Sequence, residues 1–205
     1  MALGAITYPQ DAMPRSERPL AQRPLRYGIL ADNSGSLRMQ LESIIELVKD
    51  IVEENGPNDE AFLVRFISSD QISIIQDFTS AKGPIQDAAE EMYIEGGRAS
   101  ILDAINVAAD HLKERSLSES GTSSSLLLIT DGDEKESSAR VDEVAAKLKQ
   151  SNIRVFVVGV SDLKVNTKSL DRLVKGTDGK IFLPKGQDGR KAAAKDIVAS
   201  MRAMQ

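Results

Sequence analysis

From Arg26 onward, short apolar runs alternate with longer stretches whose apolar residues recur at helical spacing. That alternation predicts strands and helices taken in turn, because each crossover between parallel strands needs a helix to carry it. The run Leu126-Leu127-Leu128-Ile129 constrains the fold most. Four apolar residues without alternation need cover on both faces, which a central strand between two helix layers receives. The expected fold class is therefore α/β: a three-layer, Rossmann-like arrangement of a mostly parallel sheet with helices on both faces. Further strands are expected at 27–31 and 154–158, with an edge strand near 180–183. Helices are expected from Leu37 to Val52, over 85–93 and 101–112, around Val141 to Leu148, near 169–174 and at the end of the chain. Residues 62–67 and 72–77 read as strands joined by Ser68-Ser69-Asp70-Gln71, a link too short for a crossover helix, so they form a hairpin with one antiparallel edge strand.

Before Arg26 the pattern is different. Pro9, Pro14, Pro19 and Pro24 are four of the chain's seven prolines, and residues 1–25 read as an extended Pro-rich arm ahead of a domain spanning 26–205. The Ser-rich stretch 116–125 suits an exposed loop. With 26 Lys+Arg against 31 Asp+Glu, the net charge of −5 gives nothing to draw the chain onto nucleic acid or anionic lipid. No apolar run is long enough to insert in a membrane, and the N-terminus lacks the basic-then-apolar order of a signal peptide. The absence of Cys excludes thiolate chemistry and leaves the compartment open. The single histidine, His111, reads as a surface or helix-end residue, not as a catalytic one. A metal site in this chain must be built from oxygen.

Oxygen donors gather at two strand ends. Asp32, Ser34 and Ser36 follow the first strand at alternate positions of a turn, and alternate residues of an extended turn can aim into one concavity. Two hydroxyls and one carboxylate are hard ligands suited to Mg²⁺, which keeps several waters and takes few protein carboxylates. Asp131, in the turn Thr130-Asp131-Gly132-Asp133 after a later strand, supplies a second acidic group. In open sheets of this kind ligands bind outside the carboxyl ends of the strands, where both turns sit. Helix capping is the plain alternative for Asp-x-Ser-x-Ser, and Asp133 and Glu134 read as a solvated acidic turn.

Asp32-x-Ser34-x-Ser36 after the first strand, with Thr130-Asp131-Gly132 after a central one, resembles the von Willebrand factor type A family and its bacterial branch in particular. The resemblance implies a metal-ion-dependent adhesion site for Mg²⁺ (or Mn²⁺/Ca²⁺), made by Asp32, Ser34, Ser36 and Asp131, that accepts an Asp or Glu presented by a protein partner. It also implies a second loop, similar to 96–105, that delivers a Thr. Here Ala99 holds that place, and Ser100, one position on, is the substitute. Members of the bacterial branch are commonly exported or cell-envelope proteins. Two rivals remain: a scaffold domain with a degenerate metal site, and a Mg²⁺-dependent haloacid-dehalogenase-like phosphatase using Asp32 and Asp133. The phosphatase expects a carboxylate at position 34, which is Ser.

Overall fold

A computed structural model describes residues 24–116, 124–161 and 165–203. The expected arm therefore lies outside the described residues as far as 23; Leu25, assigned to it by composition, is buried in the core. The order of elements is β1 (Arg26–Asp32), a 3-10 helix (Gly35–Gln40), α1 (Leu41–Glu53), β2 (Glu60–Phe66), β3 (Ile72–Thr79), α2 (Lys82–Glu90) and α3 (Ile101–Ser116). There follow β4 (Ser124–Thr130), α4 (Val141–Gln150), β5 (Ile153–Gly159), α5 (Lys168–Gly176), β6 (Ile181–Phe182) and α6 (Gly186–Ala203). The six strands form one sheet in the order β3-β2-β1-β4-β5-β6. All neighbours are parallel except β2 and β3, which form the expected antiparallel hairpin at the edge.

The period-2 geometry of the strands sorts their side chains into two cores. Tyr27, Ile29 and Ala31 of β1, Leu127 and Ile129 of β4, and Phe156 and Val158 of β5 face α1, α2 and α6. Leu30, Leu126, Leu128, Val155 and Val157 face α3, α4 and α5. Every residue of β1, β4 and β5 is buried, which is why their sequences carry no polar alternation.

Several expectations need correction. The helical stripe from Leu37 begins as a 3-10 helix and becomes α1 only at Leu41. The helix expected over 85–93 ends at Glu90, and Met92 instead turns into the core. Of the expected Ser-rich loop, 117–123 lie outside the described residues, while Ser124 and Ser125 are buried in β4, in register with Arg26 and Arg154. His111 lies in the middle of α3, where its Nε2 is 2.8 Å from Asp77 Oδ1 and its ring stacks on Phe78 and meets Phe62 edge-on. The aromatic contacts explain why a titratable ring is only partly exposed there.

At the pole where β1 and β2 begin, Asp59 accepts backbone hydrogen bonds from Leu25 at 2.8 Å and Gly56 at 2.7 Å, and pairs with Arg202 of α6. This buried carboxylate joins the entry of β1, the loop before β2 and the last helix.

Candidate metal centre

The parallel register of β1 and β4 runs from Arg26↔Ser124 to Ala31↔Ile129, so one step further Asp32 stands beside Thr130. Both positions have the parity of the side chains that face α3, and both are fully buried. The Thr130 hydroxyl donates to Asp32 Oδ2 at 2.6 Å, while the Ser34 N–H donates to Oδ1 at 2.9 Å. Thr130 Oγ1 also accepts the Gly132 N–H at 3.0 Å. Thr130 stands in the turn motif of the sequence but is not among the candidate ligands read from it; the signal for its bond to Asp32 is strand parity, which becomes useful only once β1 and β4 are known to be neighbours.

Beyond Asp32 the chain leaves the sheet. Ser34 is extended (φ −66°, ψ 162°) and Gly35 starts the 3-10 helix, a path that brings Ser34 Oγ and Ser36 Oγ to 3.2 Å. Ser34 is buried and Ser36 exposed, so the hydroxyl pair runs from the interior to the surface. Asp131 is half-buried, its Oδ1 accepts the Asp133 N–H at 2.9 Å, and its charge acts on Asp32. Burial, helped by that neighbouring charge, pushes the Asp32 carboxyl up to about 6 against the pull of its Thr130 and Ser34 hydrogen bonds. Among the described residues no Lys or Arg pairs with Asp32. Two carboxylates and a chain of hydroxyls, with no cationic side chain between them, fit a hard divalent cation. Among the described residues no three His, Cys, Asp or Glu converge, so a cation held here would need hydroxyl and water oxygens to complete its shell.

The second loop meets this turn through backbone. Gly96 and Gly97 have φ of +111° and +82°, and Gly97 O accepts the Gly35 N–H at 3.1 Å. The Ala99 methyl packs in the α3-side core, and its carbonyl accepts the Lys135 N–H at 3.1 Å. Ser100 is buried; its hydroxyl accepts from Ser69 Oγ at 3.2 Å and its N–H donates to Ile67 O at 2.8 Å, which ties it to the β2–β3 turn.

The loop between β4 and α4 is stapled to α3. Glu134 accepts from the Leu102 N–H at 3.0 Å and from Ser137 Oγ at 2.8 Å. Asp103 accepts from the Ser138 and Ala139 N–H groups at 2.8 and 2.9 Å and from Ser69 Oγ at 2.5 Å, bonds that hold its carboxyl below the usual range despite partial burial. Glu134 is thus a cap on the α3 N-terminus, not part of a solvated turn. The Asp133 carboxylate pairs with Lys135 at 2.8 Å.

Gly132 sits at φ +80°, and a Cβ there would lie 2.2 Å from Asn166 O. Gly132→Ala is expected to cost about 2–4 kcal/mol by backbone strain and overlap. Urea unfolding measures this, and a loss under about 1 kcal/mol would show that the turn carrying Asp131 tolerates a side chain.

Comparison with known proteins agrees with the fold. The chain superposes on an aerotolerance-related membrane protein of Bacteroides fragilis, crystallised with multiple mutations to serines, with a TM-score of 0.74 at 21% identity, covering 88% of this chain and 100% of that one. BatB from Bacteroides thetaiotaomicron gives 0.72 at 18% identity with the same coverages. A von Willebrand factor type A protein from Catenulispora acidiphila gives 0.67 at 16%, over 88% of this chain and 42% of that one. No curated protein sequence matches significantly. The family model of the von Willebrand factor type A domain matches residues 28–192, from the first strand into the last helix, and the chain belongs to that family.

Proposed function

We propose that this domain is a non-enzymatic interaction module that docks an Asp or Glu of a protein partner through a divalent cation at the β1/β4 crest. Domains of this family typically serve as protein-interaction modules. The observation that carries the finer reading is the meeting of Asp32, Thr130 and the Ser34–Ser36 hydroxyl pair at one point, with Asp131 beside them. Asp32, Ser34, Ser36 and Asp131 would hold Mg²⁺ (or Mn²⁺/Ca²⁺), directly or through water. Thr130 orients the Asp32 carboxylate, and Ser100, whose hydroxyl accepts from Ser69 and keeps a second lone pair, would be the second loop's contribution. When bound, the cation supplies an electrophilic position for an incoming carboxylate. The protein's part is to fix the oxygens and to keep the carboxylate in a dry, buried seat.

Magnesium titration followed by thermal unfolding tests this. A cation at 100 times its dissociation constant stabilises the native state by about 2.7 kcal/mol, and the midpoint rises accordingly. Asp32→Ala is expected to remove the rise. A flat titration in both proteins would favour the scaffold reading, which Ala99, bringing a methyl where a hydroxyl was expected, supports.

A further inference from the structure

Among the described residues five large apolar side chains are exposed: Met39, Ile74, Tyr93, Val107 and Leu183. Ile74 and Val107 belong to β3 and α3, but Met39 and Tyr93 stand next to the candidate metal turn. Residues three apart in a 3-10 helix eclipse one another. Met39, 83% exposed, therefore shares a face with Ser36. On the other flank Asn33 Nδ2 donates to Tyr93 O at 3.0 Å, and the loop running on from Tyr93 returns to the turn at Gly35 through Gly97. The Tyr93 ring is 53% exposed yet held: Arg65 lies 4.7 Å from its centroid, and Glu95 pairs with Arg65 at 3.6 Å. A flexible thioether and a braced aromatic thus flank the outward hydroxyl Ser36.

Both side chains leave much of their apolar surface in solvent, and exposing both beside one polar site has a physical use. A single carboxylate–cation contact gives modest affinity, and apolar anchors around it supply most of the remainder. Met and Tyr are the residue types that make such anchors, the first by adapting its shape and the second by presenting rigid area at low entropic cost. We infer that Met39 and Tyr93 form a specificity rim selecting a partner segment in which the docking Asp or Glu has a bulky apolar or aromatic residue as its immediate neighbour. This rests on the cation-docking reading above and adds the side-chain class next to the acid.

The chain contains no Trp, so tryptophan emission reports a bound peptide alone. Two probes of equal length separate the outcomes: one with Glu-Trp at the centre of a glycine peptide, the other with the Trp moved four residues from the Glu. With Mg²⁺ present, the adjacent probe is expected to bind about tenfold more tightly and to shift its emission to the blue. Met39→Ser and Tyr93→Ala should each remove most of that preference. Leu183→Ser should not, because Leu183 follows β6, three strand positions from β1. Mg²⁺-dependent binding of both probes with equal affinity would overturn the rim while leaving cation docking intact. Binding of either probe that ignores Mg²⁺ and survives Asp32→Ala would overturn both.

Discussion

In metal-free solution at pH 8, Asp32→Asn is expected to be more stable than the wild type by about 2 kcal/mol. The folded-state carboxyl of Asp32 is raised from 3.8 to about 6, so the sign is that of a group whose ionisation opposes folding. Its contribution is most favourable below pH 3.8, where both states hold the proton, and declines as pH rises to about 6, where the folded state must give it up. A rise of that size corresponds to about 3 kcal/mol. The amide returns about 1 kcal/mol of this, because its single oxygen cannot accept from both Thr130 and Ser34. Stability measured from pH 4 to 8 should therefore fall more steeply in wild type than in Asp32→Asn, with the difference levelling above pH 6. Parallel curves would mean that the buried carboxylate has found compensation elsewhere. Saturating Mg²⁺ should reverse the ranking, since only the carboxylate form gains from the cation.

Asp59→Ala should be the most damaging of the substitutions considered. It withdraws the acceptor of two backbone N–H groups, at Leu25 and Gly56, and the ion-pair partner of Arg202, in a side chain that is 2% exposed. Breaking a buried pair and stranding its donors costs about 3–5 kcal/mol. Calorimetric or urea unfolding should show that loss, with Asp59→Asn intermediate because one oxygen survives. Mg²⁺ affinity should be unaffected, as Asp59 lies at the pole opposite Asp32. A stability change below about 1 kcal/mol would remove the clamp from the account of how α6 is held.

The layers, the central strands and the hairpin were legible because each rests on a local rule: apolar runs mean burial on both faces, and four polar residues cannot hold a crossover. What stayed hidden depends on register or on distant partners. Thr130 joins Asp32 only because β1 and β4 are neighbours and both residues share a face. Glu134 looked solvated because its partner, Leu102 N–H, lies 32 residues earlier. His111 was read from its own helix, whereas Asp77 and Phe78 determine its surroundings. The 3-10 helix escaped because Leu37 and Leu41, four apart, match the α-helical spacing and so conceal the tighter turn between them. The second loop shows the same limit: spacing located Ala99 and Ser100, but only the fold reveals that both are engaged by neighbouring backbone and Ser69.

The candidate docking turn leaves β1 at one pole, and the chain enters β1 at the other, beside the Asp59 clamp. A partner gripping the crest while tension is applied before Leu25 would load β1 end to end. Its hydrogen bonds to β2 and β4, seven and six registered pairs on either side, run across the direction of pull. Because both loaded points would lie on one strand, the pull would pass along the covalent backbone of β1, which is already extended, and those hydrogen bonds would be spared, so a force along this axis would not by itself pry the sheet apart.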